Sequence, residues 1–302
     1  MRRGCEEAVV RTHLRRVVVV VMLACGLLVA RGDEPAARPL KPLVRGAADA
    51  VSGREETTRI LLVPTALDHP YATHMYTPVC SLLAACLNQT PGVEATVSAD
   101  LDWPSDPAVL RDVDAIVYYS RPAGDIVLSP AHREAYLALM KKGVGFTALH
   151  WATAAEEPVG LLYEQMLGGW FNFAFCGLKV DKLPLQQKQP SHAVCSGWQP
   201  YEVRDEFYLN MKLHPDAVPV LAVTVDDVEQ TVAWVLEREG GGRSFGSTLG
   251  HFHDNYAIPE FRRAIVNGIL WTAGVEVDER GAAVELSPEQ LELPPPEAAG
   301  PK

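Results

Sequence analysis

The sequence predicts an α/β protein in which helices cover both faces of a mostly parallel sheet. Short apolar runs that suit buried strands alternate with segments of helical spacing, the order expected for parallel strands joined by right-handed crossovers. A histidine directly follows two of these runs, at positions 150 and 251. Since ligands bind beyond the carboxyl ends of the strands in such sheets, the pattern also predicts where a site would lie.

The first half of the domain contains four predicted strands and four helical segments. The predicted strands are residues 59–64, 93–97, 115–119 and 143–149. The helical segments cover residues 79–87, 107–112, 129–142 and 159–167. Ser129 and Pro130 predict the start of the third helix, because serine caps a helix amino terminus and proline suits its first position.

The second half is less regular. Residues 218–225 and 231–237 read as strands joined by the acidic turn Asp226-Asp227, and they predict a hairpin at the edge of the sheet. A last strand precedes His251, and an amphipathic helix follows from Pro259 to Thr272. We see no internal repeat.

The two ends of the chain differ in composition from this domain. Arginines precede an apolar run from Val17 to Ala30, which predicts a signal peptide over residues 1–32 and a periplasmic or secreted protein. The alternative is an uncleaved N-terminal anchor. Residues 33–57 are predicted to be a linker, residues 58–274 the folded domain, and residues 275–302 a disordered tail rich in Glu and Pro.

Charge and cysteine content restrict the partners. Residues 1–32 hold six arginines and two glutamates, so their removal takes the formal charge from −11 to −15. An acidic chain of this kind argues against nucleic acid, and against membrane insertion or anionic membranes once the signal is cleaved. Cys80 and Cys86 point to different sides of a predicted helix and cannot pair, whereas Cys176 and Cys195 are either a disulfide or two free thiols.

Four segments carry the candidate site residues. They are Asp68-His69, His150-Trp151, Asp205–Tyr208 and His251–His253. Three follow predicted strands and should converge at one edge of the sheet. Histidine transfers protons near neutral pH and binds metals, and a carboxylate such as Glu206 can act as a base. His74, His132 and His214 are interpreted as surface residues, and His192 is an intermediate case.

Several chemistries lack their sequence signature. The first strand is not followed by a phosphate-binding glycine-rich loop, and the chain has no Gly-x-Ser-x-Gly turn. His251 and His253 resemble half of a metal site, but two ligands do not make one. We therefore predict neither a metal nor another cofactor.

Taken together, these segments resemble the ThuA-like (trehalose-utilisation) family over about residues 58–274. The resemblance rests on Asp68-His69-Pro70, Gly143–His150, Ser191-His192 followed by Asp205–Tyr208, and Gly242-Arg243 leading to Leu249-Gly250-His251 and Gly268–Trp271. It implies a flavodoxin-like three-layer sandwich similar to the class I glutamine amidotransferases.

The resemblance also implies a difference from those enzymes. Amidotransferases carry a nucleophilic cysteine at the turn after the strand that here ends at Leu149, and this chain has His150-Trp151 there. Cysteine-dependent glutamine hydrolysis is therefore not expected. Family members often have a histidine after a Gly-Gly-x-Phe stretch, and residues 168–176 have none. That stretch is instead rich in aromatic residues, which are either a sugar-stacking face or core packing.

Three functions are consistent with these features. The first is an exported enzyme that acts on a sugar or an oxidised sugar by proton transfer. Its acid/base or ligand residues would be His150 and His251, with Glu206 as base; its substrate-binding residues would be His69, Trp151, His192 and Tyr208. The second is a non-catalytic carbohydrate-binding or assembly domain. The third is a metal-dependent hydrolase that uses His251, His253 and a carboxylate.

Overall fold

The computed structural model describes residues 57–296. The predicted signal peptide, nearly all of the predicted linker and residues 297–302 lie outside this range. No helix between residues 57 and 296 is long and apolar enough to cross a membrane.

Strands and helices alternate in the first half of the domain, and strands dominate the second. The strands are β1 (Thr58–Pro64), β2 (Val93–Val97), β3 (Ala115–Tyr119), β4 (Gly145–Leu149), β5 (Gly169–Trp170), β6 (Gly177–Pro184), β7 (Gln186–Gln187), β8 (Glu202–Leu209), β9 (Lys212–Leu213), β10 (Val218–Val225), β11 (Val228–Glu237) and β12 (Arg243–Ser247). The α-helices are α1 (Tyr76–Leu87), α2 (Ala123–Val127), α3 (Arg133–Lys141), α4 (Gly160–Leu167), α5 (Pro259–Thr272) and α6 (Pro288–Leu291).

Eight strands form the central sheet, in the order β2-β1-β3-β4-β12-β11-β10-β7. The first five are parallel to one another, and β11, β10 and β7 continue the sheet as antiparallel strands. The mostly parallel sheet and the predicted β10–β11 hairpin are therefore confirmed. The hairpin is not the outermost element, because the short β7 pairs with β10.

Helices cover both faces of this sheet. Neighbouring residues of a strand point to opposite faces, so Ile60 and Leu62 of β1 pack with α1 and α5, while Leu61 and Val63 pack with α2, α3 and α4. The predicted flavodoxin-like three-layer sandwich is confirmed. The carboxyl ends of β1, β3, β4 and β12 lie at one edge of the sheet, as the parallel pairing requires.

Three local features differ from the sequence prediction. The helix expected from Ser129 begins at Arg133, because residues 129–132 form a turn in which the Ser129 carbonyl accepts from His132 N and Arg133 N. The segment at 107–112 is a short 3-10 helix, Pro107–Leu110. The antiparallel ribbon formed by β6 and β8 was not predicted from the sequence.

The predicted disordered tail is wrong for residues 275–296. The Val284 side chain is fully buried, and the Arg262 guanidinium donates two hydrogen bonds to the Val284 carbonyl. Asn267 accepts a hydrogen bond from Ala282 N, and Gln89 does so from Glu285 N. A few widely spaced apolar residues pack this segment against the core. The segment was predicted to be disordered because they are too few to alter its Glu- and Pro-rich composition.

Replacing Val284 with alanine should lower the free energy of unfolding by about 1–3 kcal/mol, because it leaves a cavity under the segment. Val228→Ala is the matched control, since 55% of Val228 is exposed and its loss should cost less than about 0.5 kcal/mol. Urea unfolding followed by circular dichroism measures both values. Equal stability of the two variants would mean that the tail is not packed as described.

The four cysteines in the described part of the chain are free. The Cys176 thiol faces the Asn210 carbonyl and the Cys195 thiol faces the Val220 carbonyl, so the structure does not contain the Cys176–Cys195 disulfide that the sequence left open.

Candidate functional site

His150 stands at the sharp turn that follows β4. The strand is buried throughout and ends at Leu149, and His150 then takes a left-handed backbone conformation with φ of 52°. Residues other than glycine rarely adopt this conformation, and such strain concentrates at functional sites. The His150 side chain is fully buried, and its Nδ1 lies 2.7 Å from the Thr248 carbonyl beyond β12. The turn thus fixes the ring with Nε2 pointing towards the site.

His251 is positioned by the loop after β12. Gly250 has φ of 115°, and a Cβ there would lie 2.6 Å from the Tyr256 hydroxyl, so only glycine fits. The buried Asp205 carboxylate accepts hydrogen bonds from Gly250 N at 2.7 Å and His251 N at 3.0 Å. Burial raises the pKa of Asp205 to about 6, although these backbone donors and Glu206 N oppose the rise. Asp205 is therefore a positioning residue that holds the His251 backbone.

Asp205→Asn should destabilise the protein by about 1–3 kcal/mol, because the amide NH2 would leave at least one buried backbone N–H without an acceptor. Asp112→Asn, on the surface, is the control and should change stability by less than about 0.5 kcal/mol. Chemical unfolding at pH 7 provides the comparison. An Asp205→Asn protein as stable as the unaltered protein would show that the carboxylate does not hold the loop.

Glu206 and Tyr208 lie on one side of β8, opposite Asp205, because strand side chains alternate. Glu206 Oε2 is 3.4 Å from His251 Nδ1 and 3.7 Å from His150 Nε2, and the Tyr208 hydroxyl is 3.4 Å from His150 Nε2. Burial alone would raise the pKa of Glu206, but the hydrogen bond to His251 and the nearby histidines hold it below its usual value. Glu206 is therefore an ionised carboxylate beside two imidazoles.

The interpretation of His74 as a surface residue is wrong. Its side chain is only 1% exposed, and its Nε2 lies 2.9 Å from His150 Nε2 and 3.0 Å from His251 Nδ1. Its backbone is left-handed, with φ of 47°, and its N–H donates to the His251 carbonyl. His74, His150, His251 and Glu206 are called the histidine cluster below. Burial lowers the pKa of His150 to about 3 and that of His74 further, so both rings are neutral.

Asp68 and His69 form a pair at the exposed side of the cluster. Asp68 Oδ1 lies 2.7 Å from His69 Nδ1 and accepts a hydrogen bond from the Tyr76 hydroxyl at 2.8 Å. Burial acts to raise the pKa of Asp68, but these hydrogen bonds outweigh it and keep the carboxylate ionised. The His69 ring stacks on His74 at 3.5 Å, and about a third of the His69 and Asp68 side chains is exposed.

An aromatic wall stands beside the cluster. Trp151 contacts Phe171, Phe173 and Tyr208, with ring centroids 5.5, 5.8 and 6.3 Å away. Phe173 is 62% exposed, whereas Phe171 is buried. The aromatic residues of this stretch therefore differ in exposure. Phe173 faces solvent beside Trp151, which was predicted to bind the substrate, whereas Phe171 is in the interior. Trp170, by contrast, is core packing under α4.

Two predicted histidines do not join the cluster. His192 packs against Trp271 and accepts from Val194 N, and its neighbour Arg243 lies at the amino end of β12, opposite to His251. The structure therefore does not place it with the other predicted substrate-binding residues. His253 is nearly buried, and its Nε2 lies 2.8 Å from the Leu291 carbonyl of the tail segment. The pairing of His251 with His253 as metal ligands is thus contradicted by their positions.

The donor atoms of the histidine cluster lie within 4.8 Å of one another. Such a set can pass protons between imidazole and carboxylate, or can hold a cation. A cavity of about 530 Å³ lies instead at the amino edge of the sheet, beside Leu236–Gly240. We assign the site to the cluster rather than to that cavity, because the left-handed backbone of His74 and His150 and the convergence of three imidazoles on a carboxylate occur at the cluster.

The fold and the cluster together define a class of protein. It is a three-layer sandwich with a mostly parallel sheet, and a buried histidine stands at the turn after β4. The model of the ThuA family, described as trehalose utilisation, matches residues 66–272, and the chain belongs to this family. No curated protein sequence matches the chain significantly.

Solved structures share the fold at low sequence identity. A ThuA-like protein from Parabacteroides merdae is 12% identical with a TM-score of 0.56, covering 79% of this chain and 100% of its own. One from Bacteroides uniformis is 15% identical with a TM-score of 0.55, covering 75% and 94%. A cytoplasmic protein from Salmonella typhimurium is 13% identical with a TM-score of 0.50, covering 70% and 98%. These likenesses concern the fold alone.

Proposed function

We propose that this protein is exported and acts on a sugar or an oxidised sugar by proton transfer at the histidine cluster. The observation that carries the proposal is an ionised carboxylate, Glu206, between the imidazoles of His150 and His251 and within reach of solvent. Membership of a trehalose-utilisation family favours a carbohydrate as the substrate class.

Each group of the site has a role in this proposal. Glu206 removes a proton from a sugar carbon or hydroxyl, because its carboxylate is in the charged form, which can accept a proton, at neutral pH. His69, backed by the Asp68 carboxylate, positions a substrate hydroxyl, and Glu206 returns the proton that it has taken up to another atom of the same sugar. Tyr208 is fully buried with its hydroxyl beside His150, so it positions that imidazole and does not bind the sugar as the sequence predicted. The apolar face of the sugar ring packs on Trp151 and the exposed Phe173. His150 and His251 serve as acid/base groups or as ligands.

A thermal-shift screen of the full chain against trehalose, other disaccharides and their keto derivatives tests this proposal, followed by product analysis. We expect one sugar class to raise the melting temperature, His150→Ala and His251→Ala to abolish the shift, and His214→Ala to leave it unchanged. Turnover and binding that survive in both cluster variants would refute the proposal. Binding without any product would instead support a non-catalytic carbohydrate-binding domain.

The export part of the proposal depends on residues 1–32. Sequencing the amino terminus of protein recovered from a bacterial host should show cleavage near Gly32. An intact amino terminus in a membrane fraction would favour the uncleaved anchor.

A further inference from the structure

Three ring nitrogens of the histidine cluster form a nearly equilateral triangle. The separations are 2.9 Å between His74 Nε2 and His150 Nε2, 3.0 Å between His74 Nε2 and His251 Nδ1, and 3.2 Å between His150 Nε2 and His251 Nδ1. All three atoms come from different segments of the chain, before α1, after β4 and after β12.

Hydrogen bonding fixes which nitrogen carries the proton in two of these rings. His150 Nδ1 lies 2.7 Å from the Thr248 carbonyl, which can only accept, so Nδ1 carries the hydrogen and Nε2 of the neutral ring has a free lone pair. The Tyr76 hydroxyl donates its hydrogen to the Asp68 carboxylate and can only accept from His74 Nδ1 at 2.9 Å. His74 Nε2 therefore also has a free lone pair.

Two lone pairs thus face each other at 2.9 Å, with a third nitrogen close to both. A hydrogen on His251 Nδ1 could bond to only one of these two lone pairs and would leave the other without a partner. A single cation contacts all three at once. Zinc in a tetrahedral site lies about 2.0–2.1 Å from each nitrogen, so its nitrogen ligands are about 3.3–3.4 Å apart. The separations observed, 2.9–3.2 Å, are a few tenths of an ångström shorter.

Glu206 completes the donor set. Its Oε2 lies 3.4 Å from His251 Nδ1 and 3.7 Å from His150 Nε2, and it supplies a negative charge to the site. The outer nitrogens of His74 and His150 are held by Tyr76 and by the Thr248 carbonyl, the kind of support that orients metal-binding imidazoles. Three imidazoles and one carboxylate favour Zn²⁺, Fe²⁺, Co²⁺ or Ni²⁺ over Mg²⁺ and Ca²⁺, which prefer oxygen.

We propose that His74, His150, His251 and Glu206 bind one divalent transition-metal ion at the carboxyl edge of the sheet. The inference goes beyond the proposed function, because it holds whether or not the site turns over a sugar. It differs from the sequence-based expectation of no metal, which was made without His74.

Titration of the chelator-treated full chain with Co²⁺ and Zn²⁺ tests this proposal. We expect one equivalent of Co²⁺ to give the visible absorption of a site of low coordination number, and Zn²⁺ to displace it. His74→Ala should weaken binding by at least about 100-fold, since it removes a direct ligand and even the supporting residues of metal sites change affinity by 10–100-fold. His214→Ala, which removes a histidine far along the chain from the cluster, should bind as the unaltered protein does.

Circular dichroism and urea unfolding of the metal-free variants separate lost ligands from lost folding. If His74→Ala does not fold, Glu206→Gln takes its place and should alter the Co²⁺ spectrum. Absence of stoichiometric binding by the folded unaltered protein would overturn the proposal, as would equal affinity in a folded His74→Ala variant. Sugar turnover by metal-free protein would leave the proposed function intact, and metal binding without sugar turnover would leave this inference intact.

Discussion

Replacing Glu206 with glutamine is expected to lower sugar turnover by about 10²–10⁴-fold, the usual contribution of a general base. Glutamine keeps the size of the side chain and removes its ability to accept a proton. Glu206 is 18% exposed, so the substitution leaves no buried cavity. Turnover is measured at saturating substrate, with the metal content of the two proteins matched, because Glu206 is also a proposed metal ligand.

Glu202→Gln is the matched control for this prediction. It makes the same chemical change on the same strand, β8, but at an exposed position where the carboxylate pairs only with Lys182 among the ion pairs described. We expect its turnover to stay within about twofold of the unaltered protein, since surface ion pairs contribute little. Equal turnover in the Glu206→Gln and Glu202→Gln proteins would exclude Glu206 as the base.

The largest expected effect on stability concerns Trp234. This fully buried ring of β11 packs beside Gly246 of β12, and its indole N–H donates to the Leu167 carbonyl. Trp234→Ala should lower the free energy of unfolding by about 3–5 kcal/mol. A Cβ at position 246 would overlap the Trp234 ring, so Gly246→Ala should cost about 1–3 kcal/mol by overpacking.

The two substitutions should be strongly coupled. In a Trp234→Ala protein the added methyl group of Gly246→Ala has space, so its cost should fall by at least about 1 kcal/mol. Gly177→Ala is the control, because a Cβ there would meet nothing closer than 3.7 Å. Urea unfolding followed by circular dichroism is measured for the unaltered protein, the two single variants, the double variant and the control. Additive costs for Gly246→Ala and Trp234→Ala would contradict the packing described.

Much of the fold can be predicted from the sequence, because the apolar pattern of each central strand matches its burial in the folded protein. The buried runs that became β1, β3 and β4 are continuous and apolar, as central parallel strands require. His150 could be found for the same reason, since it directly follows β4. His251 lies four residues beyond β12, a buried strand of mixed composition, and was found from the position of the whole segment near a strand end. The β6–β8 ribbon escaped prediction because β6 alternates between intermediate and exposed residues and carries no strong apolar signal.

His74 shows where sequence reasoning fails. It follows no strand, lies two residues before α1 and has no periodic neighbours, so nothing local distinguishes it from a surface histidine. Its burial depends on the loop after β12, whose His251 carbonyl accepts its backbone N–H. The proposed metal site therefore could not be predicted from the sequence, because the His74 imidazole meets His251 only through a contact between residues 177 positions apart.

The tail segment was mispredicted for a related reason. Composition describes an average, whereas ordering here depends on a few contacts, such as the Val284 carbonyl with Arg262 and the Leu291 carbonyl with His253. Both contacts use backbone acceptors, which every residue type offers and which no composition can reveal.

We propose the histidine cluster, and not another cavity of the molecule, as the ligand site. A crystal structure of the protein soaked with the sugar that gives the largest thermal shift would show where the ligand binds. Sugar density is expected between Glu206 and His69 and against Trp151. Density confined to the cavity beside Leu236–Gly240, with an unoccupied cluster, would contradict it.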